Sequence, residues 1–152
     1  MVSVCFQSVK AQYQGNITIN ADGGISPSLA PIIQSGNLYS LTSDINGSIS
    51  IERNDCTFDG KGHIIEGLTS VNFPIDYAQL LLNDTSNDTL RNLQIIGGQF
   101  GISIWGLGNI IANNTVTSTG ISGIYSTQAS SYGIGVSGDS NVITGNSLLN
   151  KW

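Results

Sequence analysis

The residues whose types could do chemistry are Glu52, Arg53, Asp55, Asp59, Lys61, His63, Glu66, Asp84, Asp88 and Arg91. Two carboxyl groups held at a set separation can hydrolyse a glycosidic bond. A base beside a cation can abstract a proton from a uronate and eliminate the neighbouring sugar. Each residue also has a plainer use. Asp59-Gly60 fits a tight turn. Asp55 and Asp88 fall at or beside the start of a repeated pattern, where Asx shapes a corner. His63 borders an alternating strand and faces solvent, and Arg53 and Arg91 pair with nearby carboxylates on a solvated surface. No two carboxylates recur at one repeat position, so no catalytic residue is assigned and the reading leans away from an enzyme. Aromatic side chains give a second chemistry, because their faces stack on the apolar C–H faces of sugars. Trp105 follows the strand Gly101–Ile104, and Tyr125 and Tyr132 bracket a Ser/Thr/Gln-rich insertion. These three are the ligand-binding candidates. The competing use of Trp105 is to cap a corner by packing.

Such side chains need a scaffold, and the scaffold is written in a repeat. Three stretches share one pattern: Asp88–Ile95, Asn109–Val116 and Asn141–Leu148. In each, an Asx residue is followed two positions later by Leu or Ile and seven later by Leu, Ile or Val. The offsets are 21 and 32 residues. A short repeat without helical periodicity predicts a β-solenoid in which each repeat forms one coil and buries its apolar side on its neighbours. Gly101-Ile102-Ser103-Ile104 and Gly133-Ile134-Gly135-Val136 sit at equal distances before Asn109 and Asn141, so the longer offset is one coil plus an insertion, placed at Ser126–Tyr132. Asn54-Asp55-Cys56-Thr57-Phe58 starts an earlier, looser copy.

The pattern fixes which side chains stack. Leu90, Ile111 and Ile143 form one inward column, and Ile95, Val116 and Leu148 another, about 4.8 Å apart along the stack. Asn recurs for two reasons. It tolerates left-handed backbone at a corner, and its amide bonds the equivalent residue one coil away. Asn114 with Asn146 and Asn109 with Asn141 are the predicted structural ladders, with Asp88 and Asn54 as looser members.

Residues 12–47 read as opening strands and a covering loop, with Pro27 and Pro31 in the loop Ile25–Ser35. Residues 48–152 read as coils, interrupted at Val71–Tyr77. Residues 1–11 read either as the remnant of a secretory signal, with Val9 and Ala11 before a cleavage point, or as an ordinary strand. The third copy runs directly into Asn150-Lys151-Trp152. The expectation is that Val142, Ile143, Leu148 and Leu149 form an edge that continues into further coils or docks on another chain.

Composition agrees with strands and turns: 19 Gly, few charged residues and a net charge of -5. The absence of a basic patch argues against nucleic acid as a partner. No stretch of the sequence is long and apolar enough to span a membrane as a helix. Two Cys, one Met and one His do not make a transition-metal set. No cofactor is expected, while weak calcium association at Asp or Asn corners stays open. Cys56 is either a buried thiol or half of a disulfide with Cys5. Asn-x-Ser/Thr sequons at Asn16, Asn46, Asn83, Asn87 and Asn113 suit an exposed, secreted chain.

The Asn-x-Ile-x-x-Asn-x-Val repeats, the Gly-Ile-x-Ile strands and the coil ending in Asp59-Gly60-Lys61-Gly62-His63-Ile64-Ile65-Glu66-Gly67 resemble the NosD-type, carbohydrate-binding and sugar-hydrolase group. The stretch Ile17–Pro31 followed by Gly36-Asn37-Leu38-Tyr39-Ser40-Leu41-Thr42 is similar to the opening of large archaeal and bacterial surface proteins in that group. The resemblance covers about Gly15 to the end. It implies an all-β right-handed parallel β-helix, here of about five to six coils, located outside the cell, in the periplasm or on the cell surface. Members are commonly described as copper-binding, but this chain lacks the donors. The expected function is a scaffold that binds a polysaccharide or other glycan or mediates adhesion. The alternatives are a polysaccharide lyase or glycosidase and a purely structural stalk.

Overall fold

The structure is a computed structural model that describes residues 12–67, 78–97, 100–118 and 132–150. Among these residues there are eighteen strands and no helix. The strands form three sheets. Sheet one contains β1 (Tyr13–Gln14), β6 (Ile45–Asn46), β9 (Ile64–Glu66), β12 (Gln94–Ile96), β15 (Thr115–Ser118) and β18 (Ser147–Asn150). Sheet two contains β2 (Ile17–Ile19), β3 (Ile25–Ser26), β7 (Ile49–Ile51), β10 (Ala78–Ser86), β13 (Phe100–Leu107) and β16 (Tyr132–Ser137). Sheet three contains β4 (Ile32–Ser35), β5 (Leu38–Leu41), β8 (Thr57–Asp59), β11 (Thr89–Arg91), β14 (Ile110–Ala112) and β17 (Val142–Thr144). From β5 onward the chain visits sheets three, one and two in rotation, and every one of these pairings is parallel.

The strand residues are mostly Ile, Leu, Val and Thr, which fit a pleated surface with one buried face. Their alternation puts like on like. In sheet three, Tyr39, Phe58, Leu90, Ile111 and Ile143 are successive partners. In sheet one the row is Ile45, Ile65, Ile95, Val116 and Leu148. The two columns read from the repeat therefore pair in the expected register. Sheet two adds two further rows, Ile17–Ile49–Leu80–Ile102–Ile134 and Ile19–Ile51–Leu82–Ile104–Val136. These rows make up most of one continuous core. Each fully buried Ile or Leu contributes roughly 1.5–3 kcal/mol relative to an exposed one.

Short corners join the sheets, and their geometry repeats. Asp55, Asn87, Gly108 and Ser140 have φ of 57, 58, 67 and 61° between sheets two and three. Asn92, Asn113 and Gly145 have φ of 54, 57 and 63° between sheets three and one. Asn and Gly occupy most of these sites because they bear left-handed backbone at least cost. The repeat predicts left-handed Asn at the corners and Asn109, Asn114, Asn141 and Asn146 as ladder residues, but the left-handed conformation is not on these four themselves. It falls instead on the residue before each of them, and the ladder residues themselves are free to point inward.

The lower end differs from the expectation of a covering loop. Ile25–Ser35 carries two short strands, β3 antiparallel to β2 and β4 antiparallel to β5. They terminate sheets two and three with strands of opposite direction, which blunts two edges that would otherwise template more pairing. The excursion Val71–Tyr77, the signal-like residues 1–11 and nearly all of the insertion Ser126–Tyr132 lie outside the described residues; Tyr132 itself opens β16.

Ile111 is wholly buried between Leu90 and Ile143, whereas Ile143 is 48% exposed. Ile111→Asp should cost about 4 kcal/mol or more, because it leaves a charge unpaired in the core. Ile143→Asp should cost less than about 1 kcal/mol. Urea denaturation of the two variants compares them directly, and equal losses would show that the column is not graded in this way.

Candidate functional site

The charged residues singled out by type are dispersed by the fold. Asp59 is buried at the end of β8, where its Oδ2 meets Arg91 Nε at 3.0 Å and Lys61 Nζ at 3.2 Å. Its Oδ1 accepts from Lys61 N and from Asn92 Nδ2. Burial alone would raise this carboxyl, but the Asn92 and Lys61 hydrogen bonds and the Arg91 charge outweigh it and hold the group below the usual carboxylate range. Asp59 is thus a corner anchor that consumes two of the cations. Arg53 donates from Nη2 to Asn37 Oδ1 at 2.8 Å and from Nη1 to Asp22 O at 3.3 Å, so it ties the first turn to sheet three. His63 Nδ1 lies 3.1 Å from Asp44 Oδ1, which also accepts from Ile64 N. Asp55 Oδ1 accepts from Asn87 Nδ2. Glu52, Glu66 and Asp84 are exposed. Among the described residues, no group of three or more His, Cys, Asp or Glu is placed to hold a metal ion.

Asp88 occupies a ladder position and is fully buried. Its Oδ1 accepts from Cys56 N at 2.8 Å, while its own N–H donates to Asn109 Oδ1 at 2.9 Å. Asn109 N–H in turn donates to Asn141 Oδ1 at 2.9 Å. Asn54, offered as a member of this ladder, stands two residues away from it. It accepts from Ser86 N instead, and Cys56 faces Asp88. At the next corner Leu93 N–H donates to Asn114 Oδ1 and Asn114 N–H to Asn146 Oδ1, at 3.0 and 2.9 Å. The amide nitrogens reach down as well: Asn109 to Thr85 O, Asn141 to Gly106 O, Asn114 to Leu90 O and Asn146 to Ile111 O. Each carboxamide therefore closes one donor and one acceptor of the strand layer beneath. The four residues named as ladder members all sit in these columns.

Asp88 lacks the nitrogen, and among the described residues its Oδ2 has no hydrogen-bond partner. Burial pushes its carboxyl above the usual range, tempered by the Cys56 N–H and the nearby Thr85 hydroxyl. Cys56 is buried and unbridged, and burial together with the Asp88 carboxyl pushes its thiol up to about 12. A thiol so placed stays protonated and unreactive at neutral pH.

The aromatic candidates have separate fates. Tyr125 lies outside the described residues. Tyr132 opens β16 opposite Phe100. Trp105 lies on the outer face of sheet two, 58% exposed, and its Nε1–H donates to Ser103 Oγ at 3.0 Å. The indole is thereby held back along its own strand rather than packed into a corner. Register places Asn83 on one side of Trp105 and Ser137 on the other, with Leu81, Ser103 and Gly135 in the adjacent row. Together they border an open cleft of about 390 Å3. Asp84, with φ of 56°, marks a bulge beside Asn83, where the pairing to β13 slips by a residue. Bulges re-aim neighbouring side chains. A Cβ at Gly135 would meet nothing within 4 Å, so this glycine leaves room in the cleft instead of relieving a clash. Composition reading missed Leu81, Ser103, Gly135 and Ser137, and took Asn83 only as a sequon. Counting one coil back and one forward from Trp105 would have found them.

No protein-family model, curated protein or solved structure matches the chain.

Asp88→Asn should stabilise the fold by about 1–2 kcal/mol at pH 7, because an amide nitrogen replaces an unpartnered buried acceptor. A carboxyl raised by folding favours the native state most below its unfolded value, near 3.9, and that contribution fades as pH climbs through the folded value. The gain from Asp88→Asn should therefore shrink as pH falls towards 4. Asp59, held low, works in the opposite sense: its contribution is complete above the ordinary carboxylate range and disappears at lower pH. Thermal melts of wild type, Asp88→Asn and Asp59→Asn between pH 3 and 8 separate the two slopes.

Proposed function

We propose that this chain is a right-handed parallel β-helix scaffold of about five to six coils, outside the cell or on its surface, whose sheet-two face binds an uncharged glycan. The rotation of the chain through three parallel-rich sheets supports the scaffold. The similarity to the NosD-type, carbohydrate-binding and sugar-hydrolase group rests on the repeat residues. The binding reading is carried by Trp105, an exposed ring pinned by Ser103 over an open cleft. Asn83, Ser103 and Ser137 supply amide and hydroxyl groups that suit sugar hydroxyls, and Leu81 adds apolar floor. A single aromatic platform with a few convergent polar groups is a common design for sugar recognition.

Charge argues for a neutral ligand. Arg53, Lys61 and Arg91 are all engaged elsewhere, and among the described residues no cation borders the cleft. Asp84 follows Asn83, and Glu52 follows the strand beneath it, so the nearest charges are negative. A uronate lyase needs a positive group to neutralise the substrate carboxylate, which makes the lyase the weaker reading.

Trp105→Ala should weaken binding of a neutral polysaccharide about tenfold or more, equivalent to about 1.4 kcal/mol. Gly135→Leu, which fills the cleft at a site with space for a side chain, should do the same with an unchanged melting temperature. A glycan array followed by calorimetry on the best neutral hit tests both. Retained affinity in the two variants, or tighter binding of uronate polymers, would remove this site from consideration; release of unsaturated sugar ends would establish the lyase instead.

A further inference from the structure

Five Asn-x-Ser/Thr sequons run through the chain, at Asn16, Asn46, Asn83, Asn87 and Asn113. A sugar joins such an Asn through Nδ2, so the fold decides where an attached glycan goes. Four of the five carboxamides are held against a neighbouring layer. Asn16 Oδ1 accepts from Ser48 Oγ at 3.0 Å. Asn46 Oδ1 is buried. Asn87 Nδ2 donates to Asp55 Oδ1 at 3.1 Å, and its Oδ1 lies against Gly108. Asn113 Oδ1 packs under Gly145 and leaves no space there for a Cβ.

Asn83 is different. It is exposed on the outer face of β10, borders the cleft, and makes no side-chain hydrogen bond among the described residues. Register sets it directly beside Trp105, and paired strands lie about 4.8 Å apart. A sugar on Asn83 Nδ2 therefore starts beside the indole, which Ser103 already holds in place.

We propose that Asn83 is an N-glycosylation site whose attached glycan lies in the cleft against Trp105, so that modification decides whether the cleft is open to a free glycan. In the transfer, Asn83 Nδ2 bonds to C1 of the first sugar of a lipid-pyrophosphate-linked oligosaccharide. The bond from C1 to the pyrophosphate breaks, the lipid pyrophosphate leaves with the bonding pair, and the amide gives up one proton. Thr85, the hydroxyl residue of the sequon, is 1% exposed, so transfer precedes folding and the glycan is in place when the cleft forms. Folding then proceeds as before: the amide keeps its second N–H, and no hydrogen bond of the Asn83 side chain is lost. A tethered glycan meets the cleft at an effective concentration of about millimolar, and it excludes a free one that binds more weakly than that. The proposal rests on the reading of the cleft as a sugar site.

The test compares the full chain secreted from a host that attaches N-glycans with the same chain made in a bacterium that attaches none. Trp152→Phe in both leaves Trp105 as the sole indole. Peptide mass mapping should find Asn83 modified in the secreted chain. Acrylamide should quench Trp105 fluorescence there about half as strongly as in the bacterial chain, or less, because a stacked sugar covers the ring. Thr85→Val in the glycosylating host removes this sequon but keeps Asn83 and the other four, and should restore full quenching. Calorimetry with a neutral polysaccharide should show binding about tenfold or more weaker for the modified chain than for the bacterial one. An unmodified Asn83 in the secreted chain, or equal quenching with Asn83 modified, would overturn the proposal. Absence of neutral-glycan binding by the bacterial chain would instead remove the free-ligand reading of the cleft, and the quenching comparison would still decide whether the attached glycan lies on Trp105.

Discussion

The structure depends on how corners satisfy their backbone groups. Every turn from one sheet to the next breaks the strand ladder and would bury N–H and C=O groups without partners, at a cost of about 1–3 kcal/mol each. Here one side chain solves this for two layers at once. Asn114, for example, takes the Leu93 N–H on its oxygen and gives its nitrogen to Leu90 O. The contact links residues 21 and 24 positions apart in the chain, so satisfying a corner and stacking two layers are a single event. Left-handed residues immediately before each ladder position tighten the turn enough for the carboxamide to enter. Packing of the aliphatic columns follows from that registration, because a slip of one residue would turn every column inside out.

A rigid inside leaves the outside free to vary. On sheet two the outward positions carry Ser50, Leu81, Ser103 and Gly135 in one row and Asn83, Trp105 and Ser137 in the next. None of these side chains belongs to the core. A face of small polar residues with one projecting indole beside an open cleft can vary without weakening the stack. The bulge at Asp84 is local to this face and sits at the edge of the cleft. The charged residues are used in the opposite way: Asp59, Arg91 and Lys61 close a corner, and Arg53 secures the first turn. Residue type alone does not say which charged groups the fold uses on itself; the pairing at Asp59 and the Arg53 contacts do.

Much of the arrangement was legible in the repeat. The offsets of 21 and 32 residues placed Leu90, Ile111 and Ile143 in one row, and the pairing follows that row. Where the pattern was loose, reading by similarity slipped. Asn54 looked like a ladder residue because it is Asn, yet Phe58 pairs with Leu90, which puts Cys56 in the ladder. A count back from the apolar position would have been more reliable than the polar identity. The strands within Ile25–Ser35 were hidden because antiparallel closure of an edge follows no repeat, and two prolines in the segment argued for a loop. The cleft was half legible: Trp105 stood out by type, but its neighbours come from strands 22 and 32 residues away and are individually unremarkable Ser, Gly and Asn.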